Sequence, residues 1–194
     1  MENPQFLFPL IFLFFLFFLH PITAIPTIHP DFIRTSCAPT LYPELCYASL
    51  SRFTNAIQSN PTRLARAAIA VSLANARRTA AYLASLKEQA DPQVAGPLQD
   101  CSSNFEDAVD EISDSFGQMK TLWSGAGSVR FQLSNVQTWM SAALTDVETC
   151  TDGFEDVDDG PIKTDVVNRA DFVKKVISIA LAMVNYVANN STPP

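Results

Sequence analysis

Residues 97–119 read PLQDCSSNFEDAVDEISDSFGQM, and this stretch decides the fold class. Its apolar residues recur three and four positions apart, which is the spacing of one face of an α-helix. They are Phe105, Ala108, Val109, Ile112, Phe116 and Met119. Proline suits the first position of a helix, so Pro97 is predicted to open this one. The segment SGAGS at residues 124–128 is predicted to be the loop that follows.

A second helix is predicted before this stretch. Asn60-Pro61 is a helix start, because Asn can cap the first turn and Pro can occupy its first position. From Thr62 to Ala90 the sequence is rich in Ala, Leu and Arg, which are strong helix formers. Asp91-Pro92 is predicted to end this helix.

Two more helices are predicted after the loop. Ser134-x-x-Gln137 is a capping-box pattern that is expected to begin one, and the acidic segment 154–161 ends it. The last is expected to run from about Lys163 to Ala188. Four amphipathic helices with short connections predict an all-α protein, an up-and-down four-helix bundle at about 61–188.

Four cysteines allow three disulfide connectivities. We favour Cys37–Cys46, whose members are close in sequence, and Cys101–Cys150, which joins neighbouring ends of an antiparallel helix pair. A metal site is the alternative. It is disfavoured because the spacings are not those of metal-binding cysteines and because His29 is the single histidine after residue 24.

The N-terminus predicts export from the cell. Residues 6–19 are an apolar run of 14, short for a membrane span and typical of a signal peptide, although an uncleaved anchor is the alternative. Cleavage after Ala24 makes residues 1–24 the signal peptide and residues 25–194 the mature domain, with no membrane contact afterwards. The formal net charge of −7 argues against nucleic-acid binding, which requires Lys and Arg.

No catalytic motif is recognisable in the chain. A nucleophile elbow, a zinc-protease motif and a phosphate-binding loop are all missing from the sequence, so no cofactor and no catalytic residue is predicted. Carboxylates are plentiful, so a secreted hydrolase that uses scattered Asp and Glu residues stays open as an alternative.

Acidic residues line the polar side of the 97–119 helix. They recur with one asparagine at spacings of three and four: Asn104, Asp107, Asp110, Glu111 and Asp114. Such a stripe is either a solvated helix face or a partner-binding face. The second interpretation gains from the Cys101–Cys150 bridge, which would bring Asp152 close to the start of the stripe.

Several segments together resemble the plant invertase/pectin methylesterase inhibitor family. They are FIRTSCAPTLYPELC at residues 32–46, Cys101, WMSAALT at 139–145, Thr149-Cys150 and Phe154. The resemblance implies a four-helix bundle preceded by a helical hairpin at about 28–58, with the disulfide pairing favoured above. It also implies a secreted, non-enzymatic monomer in the apoplast or cell wall.

The resemblance implies a one-to-one non-covalent complex with pectin methylesterase that covers the substrate cleft. Asn104, Asp107, Asp110, Thr149 and Asp152 match interface positions of the branch that inhibits this esterase. Inhibitors of cell-wall or vacuolar invertase form the alternative branch of the family. They typically carry a Pro-Lys-Phe motif, which this chain lacks.

The C-terminus contains two overlapping sequons for N-glycosylation. Asn189 begins an N-x-S sequon and Asn190 begins an N-x-T sequon. Both are predicted to lie in a polar tail where a glycan would be harmless.

Overall fold

The structure is a computed structural model that describes residues 30–86, 91–124 and 127–190. The predicted signal peptide, its cleavage site and His29 lie outside the described residues. No helix in the described ranges has the length and apolar character needed to cross a membrane.

The described chain is all-helical. Its N-terminal part contains α1, α2, a 3₁₀ turn and α3, which cover Pro30–Cys37, Pro43–Leu50, Ser51–Phe53 and Thr54–Ile57. The four long helices α4, α5, α6 and α7 cover Pro61–Leu86, Pro92–Lys120, Val129–Asp152 and Pro161–Asn190.

The long helices form the predicted up-and-down bundle. Helix α4 packs against α5 and α7, and α6 packs against the same two helices, so the four surround one core. The predicted apolar faces fill it. On α5, Phe105, Ala108, Ile112 and Met119 are buried, with Val109 and Phe116 partly buried beside them. The all-α class and the bundle are confirmed.

The start of α4 was predicted correctly. Pro61 is its first residue, and the backbone N–H of Arg63 donates a 2.9 Å hydrogen bond to Oδ1 of Asn60. This bond satisfies one of the donors that the first turn of a helix leaves without a partner. The described part of the helix ends at Leu86, and residues 87–90 are not described.

Two other helix starts were predicted wrongly. Helix α5 begins at Pro92, and Pro97 lies inside it. Helix α6 begins at Val129, where Oγ of Ser128 accepts a 3.2 Å hydrogen bond from the N–H of Phe131. Ser134 is therefore an interior residue, and its carbonyl accepts a hydrogen bond from the Thr138 hydroxyl. Helix α6 stops at Asp152, just before the acidic segment that was predicted to end it, and α7 spans Pro161–Asn190, two residues more at each end than predicted.

The N-terminal helices form a hairpin closed by a disulfide. Cys37 at the end of α1 is bonded to Cys46 in α2, with their Cα atoms 5.6 Å apart. Between them the Thr40 hydroxyl donates a 2.7 Å hydrogen bond to the carbonyl of Cys37. Helix α2 contacts α4 and α7, so the hairpin lies against the bundle rather than apart from it.

Candidate functional site

A second disulfide joins the two helices that carry the predicted partner-binding residues. Cys101 of α5 is bonded to Cys150 of α6, with their Cα atoms 4.1 Å apart, and both side chains are buried. This is the pairing that the sequence favours. Asn104 follows the first of these cysteines by one helical turn, and Asp152 follows the second by two residues. The bridge therefore brings Asp152 close to the part of α5 where the stripe begins.

The same two helices are also tied at their other end. Nε2 of Gln118 on α5 donates a 2.9 Å hydrogen bond to Oε1 of Gln132 on α6. Gln132 is buried, and its own Nε2 donates to the carbonyl of Gly127. The α5–α6 pair is thus fixed by a covalent bond at one end and by side-chain hydrogen bonds at the other. It is a rigid support for the side chains on its surface.

Most of the stripe faces solvent. Asp107, Asp110 and Asp114 are exposed, and Asn104 is half-buried. None of the three aspartates has an ion-pair partner among the described residues, where the ion pairs all involve a cation of α7. No Lys or Arg lies between residues 104 and 118 to offset their charges.

The predicted residues of α6 extend this surface. Thr149 and Asp152 are both exposed at the C-terminal end of that helix. The Thr149 hydroxyl donates a 2.9 Å hydrogen bond to the carbonyl of Thr145, which holds the side chain against its own helix. Together these two residues and the four exposed or half-exposed members of the stripe are called the acidic face here. It comprises Asn104, Asp107, Asp110, Asp114, Thr149 and Asp152.

Glu111 differs from the other stripe residues because it points toward α6. It is half-buried, and no N–H or hydroxyl group in the described ranges donates to its buried Oε2 atom. Burial raises the pKa of Glu111 to about 7, and a hydrogen bond with Asp146 and the charges of Asp146 and Asp107 act in the same direction. Burial also raises the pKa of Asp146.

Two carboxyl groups can form a hydrogen bond only when one of them holds a proton. The Glu111–Asp146 pair is therefore best described as sharing one proton between α5 and α6 into the neutral pH range. Asp146 was missed by the sequence analysis. The sequence offered one clue to it, since Asp146 directly precedes Val147, an apolar residue that is buried in the core.

Replacing Glu111 with Gln is expected to stabilise the protein at pH 8 by about 1–2 kcal/mol and to change little at pH 4. The carboxyl has its ordinary pKa of 4.5 when unfolded and about 7 when folded, so the folded state binds the proton more tightly. Wild-type stability must then fall as the pH rises through that window. The full shift corresponds to about 3 kcal/mol, which solvent screening reduces at this half-exposed site.

Chemical denaturation at pH 4, 6 and 8 measures this effect. Asp114→Asn is the matched control, since it removes an exposed carboxylate from the same helix. It should change the free energy of unfolding by less than about 0.5 kcal/mol at each pH. A Glu111→Gln variant that is destabilised equally at all three pH values would contradict the shared proton.

Comparison with known proteins agrees with this architecture. The profile of the family described as "Plant invertase/pectin methylesterase inhibitor" matches residues 31–183. Pectinesterase inhibitor 3 of Arabidopsis thaliana is 41% identical over 169 residues, which cover 84% of this chain and 82% of that protein. The "21 kDa protein" of Daucus carota is 40% identical over 162 residues, covering 81% and 84% respectively.

A solved structure supports the fold. The crystal structure of a mutant form of a pectin methylesterase inhibitor from Arabidopsis aligns with a TM-score of 0.65 at 24% identity, over 79% of this chain and 95% of that one. The profile match, which spans most of the sequence, and the two close relatives are sufficient to assign the family. The chain belongs to the plant invertase/pectin methylesterase inhibitor family and is an inhibitor protein rather than an enzyme.

Proposed function

We propose that this protein inhibits pectin methylesterase by covering the substrate cleft with its acidic face in a one-to-one, non-covalent complex. The observation that carries the proposal is the set of exposed aspartates without ion-pair partners, Asp107, Asp110 and Asp114, on a helix pair fixed at both ends. The names of the relatives support pectin methylesterase as the target.

The mechanism needs no covalent step and no cofactor. Because the α5–α6 pair is rigid, little conformational entropy is lost when its side chains contact an enzyme. Carboxylates attract a cationic rim on the partner, which accelerates the encounter and fixes the orientation of the complex. Once the complex has formed, the helical bundle covers the substrate cleft of the enzyme and excludes pectin from it. Glu111 lies at the inner edge of this surface, where its half-buried carboxyl group faces Asp146 of α6.

We also propose that the protein works in the plant cell wall as a monomer. Residues 1–24 would be removed as a signal peptide, and residues 25–194 would form the inhibitor domain with its hairpin and bundle. Two disulfides suit an oxidising extracellular environment.

The two sequons remain proposed glycosylation sites, but their place differs from the predicted polar tail. Asn189 and Asn190 occupy the last turn of α7. Nδ2 of Asn190 donates a 2.7 Å hydrogen bond to the carbonyl of Tyr186 in this turn.

An assay against both target classes tests the proposal. The purified mature protein is expected to inhibit a plant pectin methylesterase at stoichiometric concentration and to leave cell-wall invertase fully active. Invertase inhibition is the second candidate, and the missing Pro-Lys-Phe motif is the observation against it. Inhibition of invertase alone would overturn the proposed target. Release of methanol or reducing sugar by the protein itself would indicate the hydrolase alternative.

A further inference from the structure

A second polar surface lies on the side of α4, away from the second disulfide. A groove of about 200 Å³ is formed between α3, α4 and α5. Its walls include the rings of Phe53 and Phe116 and the side chains of Arg63 and Arg66. The small side chains of Ala67 and Ala70 on α4 also line it.

Four cations surround this groove. Arg63 and Arg66 line it directly. The guanidinium carbon of Arg52 lies 4.8 Å from the centroid of the Phe53 ring, and Nζ of Lys120 lies 4.8 Å from the centroid of the Phe116 ring. All four cationic side chains are exposed. Two aromatic rings and four positive charges therefore meet at one small concavity.

These charges are not neutralised by the protein. None of the four cations belongs to an ion pair among the residues that the structure describes. The guanidinium of Arg63 donates to the side-chain amide oxygen of Gln58, which is a neutral group. Helix α4 contains no Asp or Glu between Pro61 and Leu86, although the whole chain has a net charge of −7.

We propose that this groove binds a polyuronate, an anionic polysaccharide that carries one carboxylate on each sugar ring. Arginine guanidinium groups recognise carboxylates through paired hydrogen bonds, which a lysine-only surface cannot reproduce. Aromatic rings and short aliphatic side chains supply the flat apolar surface that the C–H side of a sugar ring can cover. The groove is therefore a site for an acidic sugar rather than for a neutral one.

The inference extends the proposed function and rests on it for its biological meaning. Pectin methylesterase removes methyl esters from pectin, so its product is a polyuronate. An inhibitor that holds this product would accumulate where the esterase has already acted. The groove and the acidic face lie on opposite sides of α5, since Phe116 follows Asp107 by nine residues and Asp114 by two, which are rotations of about 180° and about 200° around the helix. One molecule can thus engage polymer and enzyme with surfaces of opposite charge.

Titration with oligogalacturonate of defined length tests the site. The mature protein is expected to bind it at low ionic strength, and affinity should fall as salt rises, because exposed charges are screened. Arg66→Gln combined with Lys120→Gln should weaken binding at least tenfold. The fully methyl-esterified oligomer should bind wild type at least tenfold more weakly than the free acid.

The control variant removes the same charge elsewhere. Arg78→Gln combined with Lys174→Gln also removes two positive charges, at positions that neither line the groove nor contact its rings. This variant should stay within about twofold of wild type, and circular dichroism should confirm that both variants are folded. If both variants lose affinity for the oligogalacturonate equally, net charge alone explains the effect and the proposed site is wrong.

Two other outcomes would also overturn the inference. One is an absence of binding by wild type at low salt. The other is equally tight binding of a DNA duplex, which would indicate a general polyanion surface. Esterase inhibition is assayed separately on a highly methylated substrate. The groove variant should inhibit like wild type there, so failure of the groove and failure of the inhibitor function are distinguishable.

Discussion

Replacing Asp107 and Asp110 together with Arg is expected to abolish inhibition of pectin methylesterase while the helical fold survives. Both side chains are exposed and make no ion pair in the described part of the chain, so reversing them should cost at most about 1 kcal/mol of stability. Within an interface, the same change places like or unpaired charges in contact, which costs several kcal/mol of binding. A thousandfold loss of affinity corresponds to about 4 kcal/mol.

A matched reversal separates this effect from net charge. Glu44→Arg combined with Asp158→Arg changes the charge by the same amount, and both residues are exposed and outside the acidic face. Inhibition constants and calorimetric affinities should stay close to wild type for this control. If the Asp107/Asp110 variant inhibits as well as wild type, the stripe is only a solvated helix face.

Replacing Cys101 and Cys150 together with Ala is expected to destabilise the protein by about 4 kcal/mol. The bond closes a loop with a sequence separation of 49, and releasing that loop increases the conformational entropy of the unfolded chain. The bond also determines where Asp152 lies relative to Asn104, so inhibition should weaken as well. Denaturant titration measures the loss of stability. An inhibition assay at a denaturant concentration below the unfolding transition measures the loss of inhibition.

The other disulfide provides the comparison. Cys37 and Cys46 close a loop with a separation of 9, so replacing both with Ala should cost only about 3 kcal/mol. It should leave inhibition nearly unchanged, since no residue of the acidic face lies in that hairpin. Greater loss of inhibition from the hairpin pair than from the bundle pair would contradict the assigned face.

The bundle was predictable because its signals are local and repeated. The apolar spacing from Phe105 to Met119 persists over four turns, and the burial of that stripe follows directly from it. Asn60 was a reliable start because Pro61 follows it, so two independent preferences agree there.

The wrong helix starts have a common physical reason. Pro92 and Pro97 can each begin a helix, and the chain uses the earlier one and accepts the loss of one backbone hydrogen bond at the later. Ser128 and Ser134 can each act as caps, and again the earlier one is used. Propensity alone cannot choose between two competent residues; packing of the added turns decides.

The place of Glu111 could not be predicted from the stripe. Its spacing from Asp107 and Asp114 puts it on the polar side of α5, next to the boundary with α6. Whether the side chain of a residue at such a boundary points to solvent or to the neighbouring helix depends on which side chain that helix places opposite it. Here that is the carboxyl of Asp146, which comes from a segment 35 residues later.

Opposite charges are sorted onto adjacent helices in this molecule. Helix α4 has only cationic charged residues, whereas the charged residues of its neighbour α5 are acidic until Lys120. The protein consequently carries an electric dipole across its bundle. A charged polymer or enzyme exerts a torque on such a dipole and turns the molecule before any contact forms. Which side of the protein faces the other molecule then depends on the sign of that molecule's surface charge rather than on the net charge of the protein.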